Sequence, residues 1–571
     1  MNVLEKKSLN NIIVPALIFA LTAVLLLIFF TDAPLGYDEN FTLFHGQKPI
    51  DRVTDVSRWD INPPFFYYVL HFWIEAFGYG EFAFRSFCLI CTSITAVVTF
   101  LFVKRFFSLT SAYIVTAFYL SSNTFFFYAQ EVRGYCLLFL LIILSTWLLF
   151  NIAKDKGIHN IIFLGIVNYM IILTHYNEGI IMLTQGCMVL FFHNWQKTVK
   201  YLVSVVLTFV MLEFLFKGLW ISRMIEIFTG GGNNVMPNPE LKLIPQAFIE
   251  LFNNSAILTA CFFLIMSIGG YFIIKNRKTE EKNGFLFYLL FIVISSHLIF
   301  FLLSYKAPMY ASRYTSFTLP FMYIFTAIAL DKLPIKPLFK IAITGSIFVF
   351  AISQITYPIS KGLDHRGSVS LIKQNKNKNV AVILQSKDMI MDFAYYYDLS
   401  IFKNYDDLSA QLERQNVFPT NTFNELELEQ ILVFDTLILS QTYEEFVDPN
   451  NTVKTGLEKS YTPYQTDDSF DDIHLTFYAK KEWKKSPSNL EPSLKKVYYK
   501  MTSDSTFAVN DTLHIEEQIE AYKLFDLQRS IKSNEAWRNE VQRKADDNGI
   551  SLDSMVLLDA LWMIQEEKKK Q

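Results

Sequence analysis

The chain has 571 residues, a formal net charge of −3, 52% apolar and 16% aromatic residues, and a mean hydropathy of +0.26. A soluble core cannot hide that much apolar surface, because interiors grow only slowly with chain length, and the near-balanced charge gives no reason to expect nucleic acid. All five cysteines fall inside apolar runs and none in the polar C-terminal part, which argues against a disulfide framework or a zinc site.

The apolar residues come in blocks. Ile12–Phe30, Phe87–Val103 and Cys136–Phe150 are apolar on every side rather than striped, and helices of that kind near twenty residues long match the hydrocarbon thickness of a bilayer. Segments of this type lie near 11–30, 83–103, 110–128, 135–152, 160–175, 178–193, 200–218, 254–274, 285–304, 313–330 and 338–357. The first is too long for the apolar region of a signal peptide, and no small-residue cleavage site follows it, so it reads as a retained anchor. Pro63–Phe77 is apolar but short and begins on two prolines, which predicts an interfacial or re-entrant helix.

Charge sets the topology. One set of alternate loops carries Lys6-Lys7, Lys104-Arg105, Lys154 with Lys156, Lys197 with Lys200, Lys275 with Arg277-Lys278, and Lys332 with Lys336. The other set is longer, more acidic and richer in aromatics. The positive-inside rule puts the first set and the N-terminus in the cytoplasm, and about eleven spans then leave the C-terminal part outside.

From 359 onward the composition is that of a soluble protein. Val380–Leu384, Ile431–Leu439 and Ile473–Ala479 read as strands of a small α/β domain. Lys484–Lys496 reads as a linker, and 514–567 as amphipathic helices, one ended by Gly549. The expected organisation is a polytopic α-helical membrane domain at 1–358, an extracytoplasmic α/β domain at 359–485, and a linker with a helical extension at 486–571.

Polar residues concentrate at the external ends of the spans. Gly36-Tyr37-Asp38-Glu39-Asn40 follows the first span, then Arg58-Trp59-Asp60-Ile61-Asn62-Pro63-Pro64. Tyr128-Ala129-Gln130-Glu131-Val132-Arg133-Gly134-Tyr135, Thr174-His175-Tyr176-Asn177-Glu178, the loop with Trp220, Arg223 and the Gly-Asn segment to Pro239, and Tyr305-Lys306 with Arg313-Tyr314 come later. Each has a bland reading: junctions are polar anyway, and Asp38-Glu39 suits a helix N-terminus. Their convergence on one face, at depths where unpaired charge is costly, points instead to chemistry.

An Asp-Glu pair after the first span, Pro-Pro before aromatics about 25 residues on, and Gln-Glu-x-Arg-x-Tyr after the third span resemble the GT-C superfamily of polytopic glycosyltransferases. Over roughly 1–330 the chain is most similar to the bacterial family 39-type branch, which includes protein O-mannosyltransferases and the lipid A aminoarabinose transferase. Asn62 stands where that branch often has His, and Ala129 where it has Ser.

The resemblance implies a multi-pass protein of the bacterial inner membrane, in contact with membrane lipid. It would move a hexosyl or pentosyl unit from a polyprenyl-phosphate donor to a protein, lipid or glycan acceptor outside the cytoplasm. It maps the base onto Asp38. A hydroxyl attacking an anomeric carbon needs such a carboxylate, and one attack with one base inverts the configuration. Glu39 would orient the acceptor or share the proton. Arg133, Arg313 and Lys306 would neutralise the leaving phosphate, and Tyr37, Trp59 and Tyr135 would support the sugar. Asn62, Gln130, Glu131, His175 and Tyr176 complete the expected substrate-binding set. No cofactor is required; a divalent metal near Glu39 and His175 is the lesser expectation. The alternative is a transporter or flippase for a lipid-linked or small polar substrate, which would place ionisable groups at the bilayer midplane.

Overall fold

A computed structural model describes residues 3–57, 62–154, 157–190, 194–218, 220–222, 225, 239–275, 280–306, 308, 310–356, 363–481, 523–524 and 527–570. The chain divides into two compact units, Met1–Ala33 with Phe41–Ser360, and Pro34–Asn40 with Lys361–Gln571. The short Asp-Glu segment therefore groups with the C-terminal part rather than with the helices that flank it in sequence.

The first unit is helical, and every expected span lies on helix. Among the described residues six helices are long and apolar enough to cross a bilayer: Asn11–Ile28, Glu81–Phe106, Tyr135–Ala153, Trp195–Leu215, Ala256–Lys275 and Gly284–Leu303. Leu109–Tyr119, His159–Thr174 and Pro337–Ser353 are shorter apolar helices. The third expected span is not continuous: helix Leu109–Tyr119 stops and a second, Asn123–Tyr128, begins. Broken helix is tolerated at membrane depth only where the freed backbone groups find partners. Asn253 supplies them, accepting from the Asn123 amide at 2.8 Å and donating to the carbonyls of Ser121 at 2.7 Å and Ala351 at 3.0 Å.

Polar side chains also lock neighbouring helices. Ser145, Asn168 and Gln185, all buried, close a ring of hydrogen bonds of 2.6, 3.0 and 2.7 Å across helices Tyr135–Ala153, His159–Thr174 and Ile180–Leu190. Such bonds help association where the hydrophobic effect between helices is absent. The segment expected at the interface is the helix Phe65–Phe77, which buries Phe66, Tyr67, Leu70 and Ile74 and exposes Phe72 and Phe77. That is one apolar stripe against protein and one toward the surroundings.

The second unit holds a five-stranded mixed sheet. In chain order the strands are β1 Val380–Gln385, β2 Val417–Thr420, β3 Thr436–Thr442, β4 Tyr461–Phe470 and β5 Ile473–Lys480, arranged β2-β1-β3-β5-β4. β1 pairs in parallel with β2 and β3; β5 pairs antiparallel with β3 and β4. The strand expected at 431–439 begins only at Thr436. Residues Leu428–Ile431 form a helical turn, and Ile431 and Phe434 pack into one cluster while Leu432 and Val433 also touch a second. A short buried apolar run does not declare its conformation by composition. The two unforeseen strands are both edges: β2 contains Pro419, and β4 is mostly exposed with register shifts near Pro463 and Asp467. Edge strands tolerate proline and polar faces that central strands do not.

The expected linker at 484–496 lies outside the described residues. Helix Glu535–Asn548 is capped by Asn534, which accepts from the Trp537 amide at 3.1 Å, and is closed by Gly549 at φ +64°. With helix Leu552–Lys570 it buries Val541, Met555, Leu558 and Leu561 against a cluster that also takes in Leu432 and Val433. Ser460 donates to the Asn548 carbonyl at 2.6 Å, so these helices share a core with the sheet.

Helix Ala256–Lys275 approaches helix Leu319–Lys332 so closely at Gly269 that an added Cβ would collide with the backbone and Cβ of Ala329. Gly269→Val is expected to force the pair apart at a cost of about 1–3 kcal/mol, read as a lower unfolding temperature in detergent; Gly345→Val, where nothing lies near the position, should change it little.

Candidate active site

The chain leaves its first span through a non-helical stretch that lacks hydrogen bonds of a regular element, so side chains hold it. Gln130, fully buried, accepts from the Thr31 amide at 2.6 Å and donates to the carbonyls of Phe29 at 3.0 Å and Phe126 at 3.2 Å. Arg85, also fully buried, donates to the Ala33 carbonyl at 2.7 Å. Gln130 was expected to touch substrate; its amide is instead engaged with backbone. Arg85 was absent from the expected set, although a guanidinium inside an apolar run is a signal in its own right.

The Asp-Glu motif opens the helix Tyr37–Gly46. Gly36 stands at its N-cap and Glu39 at the third position, where the Glu39 carboxylate accepts from the Gly36 amide at 3.0 Å. This is one half of a capping box. Glu39 is only 1% exposed, which makes it a brace for the turn rather than a group presented to substrate. Asp38 and Tyr37, by contrast, are half-buried with a face left accessible.

Asn40 continues the same bracing. Its amide donates to the Leu35 carbonyl at 3.3 Å and to Asp392 Oδ1 at 2.8 Å, and the Leu35 amide donates to the Tyr396 hydroxyl at 2.7 Å. Asp392 and Tyr396 sit on the helix Ile390–Tyr397, shortly after β1. Burial pushes the Asp392 carboxyl up to about 7, opposed by the hydrogen bond from Asn40 and reinforced by the charges of Asp38 and Glu39. Sequence reading passed over Asp392; the available signal was an acid on the inward face of a helix whose neighbours Phe393 and Ala394 are apolar.

In the helical unit a second group forms around Arg133. Its guanidinium donates to Thr42 Oγ1 at 3.0 Å and to Asn62 Oδ1 at 3.3 Å. Tyr135 lies within electrostatic reach of Arg133, Glu131 and Arg313, and His175 of both arginines. The rings of Tyr135 and Tyr314 flank His175 with centroids 5.7 and 5.6 Å away. Arg313 is exposed and lies over the Tyr314 ring at 4.8 Å. His175 Nδ1 is 3.6 Å from the buried Glu178. The structure thus gathers Glu131, Arg133, Tyr135, His175 and Arg313, and gives Asn62 the task of orienting Arg133.

Two expected residues go elsewhere. Tyr176 packs among Ile172, Leu212, Phe216 and Trp220, an apolar cluster. Lys306 is exposed just beyond helix Glu280–Leu303, and among the described residues no recorded interaction joins it to the arginine group. Trp59 lies outside the described residues. No group of three or more His, Cys, Asp or Glu that could hold a metal occurs among the described residues.

Residues 61–216 match the family described as dolichyl-phosphate-mannose-protein mannosyltransferase. Among solved structures the chain is similar to the ArnT of Cupriavidus metallidurans in its apo state, with 11% identity, a TM-score of 0.53, and coverage of 81% of this chain and 97% of that one. It is similar also to the same ArnT bound to undecaprenyl phosphate, at 12% identity, a TM-score of 0.51 and the same coverage. No curated protein sequence matches.

Six apolar helices of spanning length and a fold similar to that of ArnT define a multi-pass membrane protein, in which residues 61–216 match the mannosyltransferase family.

The buried Asp392 carries a stability consequence. Its folded pKa stands above the ordinary carboxylate value of 3.8, so the folded state holds more protons than the unfolded state between about pH 4 and 7, and stability falls as pH rises through that window. Asp392→Asn removes the penalty while keeping an acceptor for Asn40. Its unfolding temperature relative to wild type should therefore rise from pH 4.5 to 7 and level off above, as followed by intrinsic fluorescence.

Proposed function

We propose that the protein transfers a sugar from a polyprenyl-phosphate donor to an acceptor on the extracytoplasmic side of the bacterial inner membrane, with Asp38 as general base and inversion at the anomeric carbon. The observation that carries this assignment is the division of labour in the motif. Glu39 is buried and engaged with the Gly36 amide, whereas Asp38 beside it keeps an accessible face.

In this reading the Asp38 carboxylate takes the proton of the acceptor hydroxyl as the oxygen attacks the anomeric carbon. The bond from that carbon to the phosphate oxygen breaks, and the departing polyprenyl phosphate carries away the electron pair. Its growing negative charge needs fixed cations. Arg133, held by two neutral acceptors, and Arg313 suit that role, because guanidinium grips phosphate oxygens in a fork. The similarity to a protein whose structure holds undecaprenyl phosphate supports a lipid-phosphate donor. The positive-inside pattern of the loops supports the orientation, with the N-terminus cytoplasmic and residues beyond 359 outside.

A panel of radiolabelled polyprenyl-phosphate sugars, presented to membranes containing wild type or Asp38→Asn, tests the assignment. Turnover with one donor, reduced at least about a hundredfold in Asp38→Asn, is expected; turnover retained in that variant would remove Asp38 as the base. Arg133→Ala and Arg313→Ala should each lower kcat/KM for the donor by about tenfold or more, with Arg133→Lys recovering little because a point charge lacks the fork.

A further inference from the structure

We propose that Asp392 and Tyr396 are positioning residues for glycosyl transfer: the helix Ile390–Tyr397 of the α/β unit fixes the backbone that carries Asp38 through one hydrogen bond on either side of it. The inference rests on Asp38 being the base, and it assigns the soluble unit a direct part in activity rather than an auxiliary one.

The geometry brackets the base. Upstream, the Leu35 amide donates to the Tyr396 hydroxyl at 2.7 Å; downstream, the Asn40 side chain donates to Asp392 at 2.8 Å. Between them the Gly36 amide donates to Glu39, the Asn40 side-chain amide to the Leu35 carbonyl, and the Glu39 and Asn40 backbone amides to the Gly36 carbonyl. Leu35, Asn40 and Asp392 are all fully buried and Tyr396 is half-buried, so the bond from Asn40 to Asp392 is shielded from solvent.

The arrangement is also costly. Asp392 Oδ2 and Asn40 Oδ1 are both buried without a hydrogen-bond partner, and each such atom loses its hydration for nothing in return. Burial of the acid shows in its raised pKa. An apolar side chain at 392 would pack without that penalty but could not accept from Asn40. Local rules are broken in this way where function demands a particular geometry, and a shift of about 1 Å at a catalytic group can cost on the order of a hundredfold in rate.

The test uses the full-length protein in detergent, with two readouts. In steady-state assays Asp392→Ala and Tyr396→Phe should lower kcat by about 10- to 100-fold while changing the donor KM by less than about threefold. Asp392→Asn, which keeps an acceptor oxygen, should recover most of the loss. Asn40→Ala combined with Asp392→Ala should be no worse than either alone, since both remove one bond. Hydrogen–deuterium exchange of the peptide spanning 34–40 should quicken by about tenfold or more in Asp392→Ala and Tyr396→Phe and stay near wild type in Asp392→Asn.

Unchanged exchange in both variants, an additive double mutant, or a loss confined to KM would overturn the proposal. If Asp392→Ala does not fold, Tyr396→Phe, which deletes only a hydroxyl, decides alone. If no donor supports turnover by wild type, the reading of Asp38 as base falls, while the exchange measurement still decides whether this helix holds the segment.

Discussion

A seven-residue stretch between the first membrane helix and the helix Tyr37–Gly46 has no secondary structure of its own, yet the proposed chemistry depends on where it holds Asp38. Its backbone is fixed by side chains borrowed from distant parts of the sequence. Gln130 and Arg85 take the residues up to Ala33; Glu39 ties back the turn at Gly36, and Tyr396 and Asp392 take Leu35 and Asn40. Every one of these bonds joins a backbone or amide group to a buried or half-buried partner, where an unmade bond would cost more than a made one gains. Asp38 stands between these holds, half-buried with an accessible face.

The membrane explains why key polar side chains of the helical unit bond to the chain itself. With no water in the hydrocarbon core, a broken helix or an interior amide has to be satisfied by the chain itself. Asn253 does this for the gap after Tyr119, and Ser145, Asn168 and Gln185 do it for one another. Charged residues collect near helix ends, among them the arginine group around Tyr135. Two guanidinium groups in one electrostatic neighbourhood repel, and a site that binds a dianionic or monoanionic phosphate turns that repulsion into affinity.

Much of this was legible in the sequence, for physical reasons. All-round apolar segments can only be membrane or deep core, so each expected span lies on helix, and Gly549 ended a helix because a left-handed residue closes it cheaply. The motifs pointed to the Asp38 turn and to Arg133 with Arg313, the residues on which the proposed function rests. What stayed hidden depends on contacts between residues far apart in the chain. Nothing local says that Gln130 braces Phe29 and Thr31 rather than a sugar, that Tyr176 faces an apolar cluster, or that Ile431–Phe434 turns instead of extending. Asp392 is the sharpest case, since its partner Asn40 is 352 positions away. β2 and β4 were missed because edge strands need not alternate apolar and polar residues.

The central claim is a single displacement driven by one base, Asp38, with Glu39 confined to bracing. The most direct measurement is the anomeric configuration of the product, read by NMR from a donor of known configuration. Inversion is the predicted result, because one attack from one face reverses the centre. Retention would require a second carboxylate acting as nucleophile and would contradict the account.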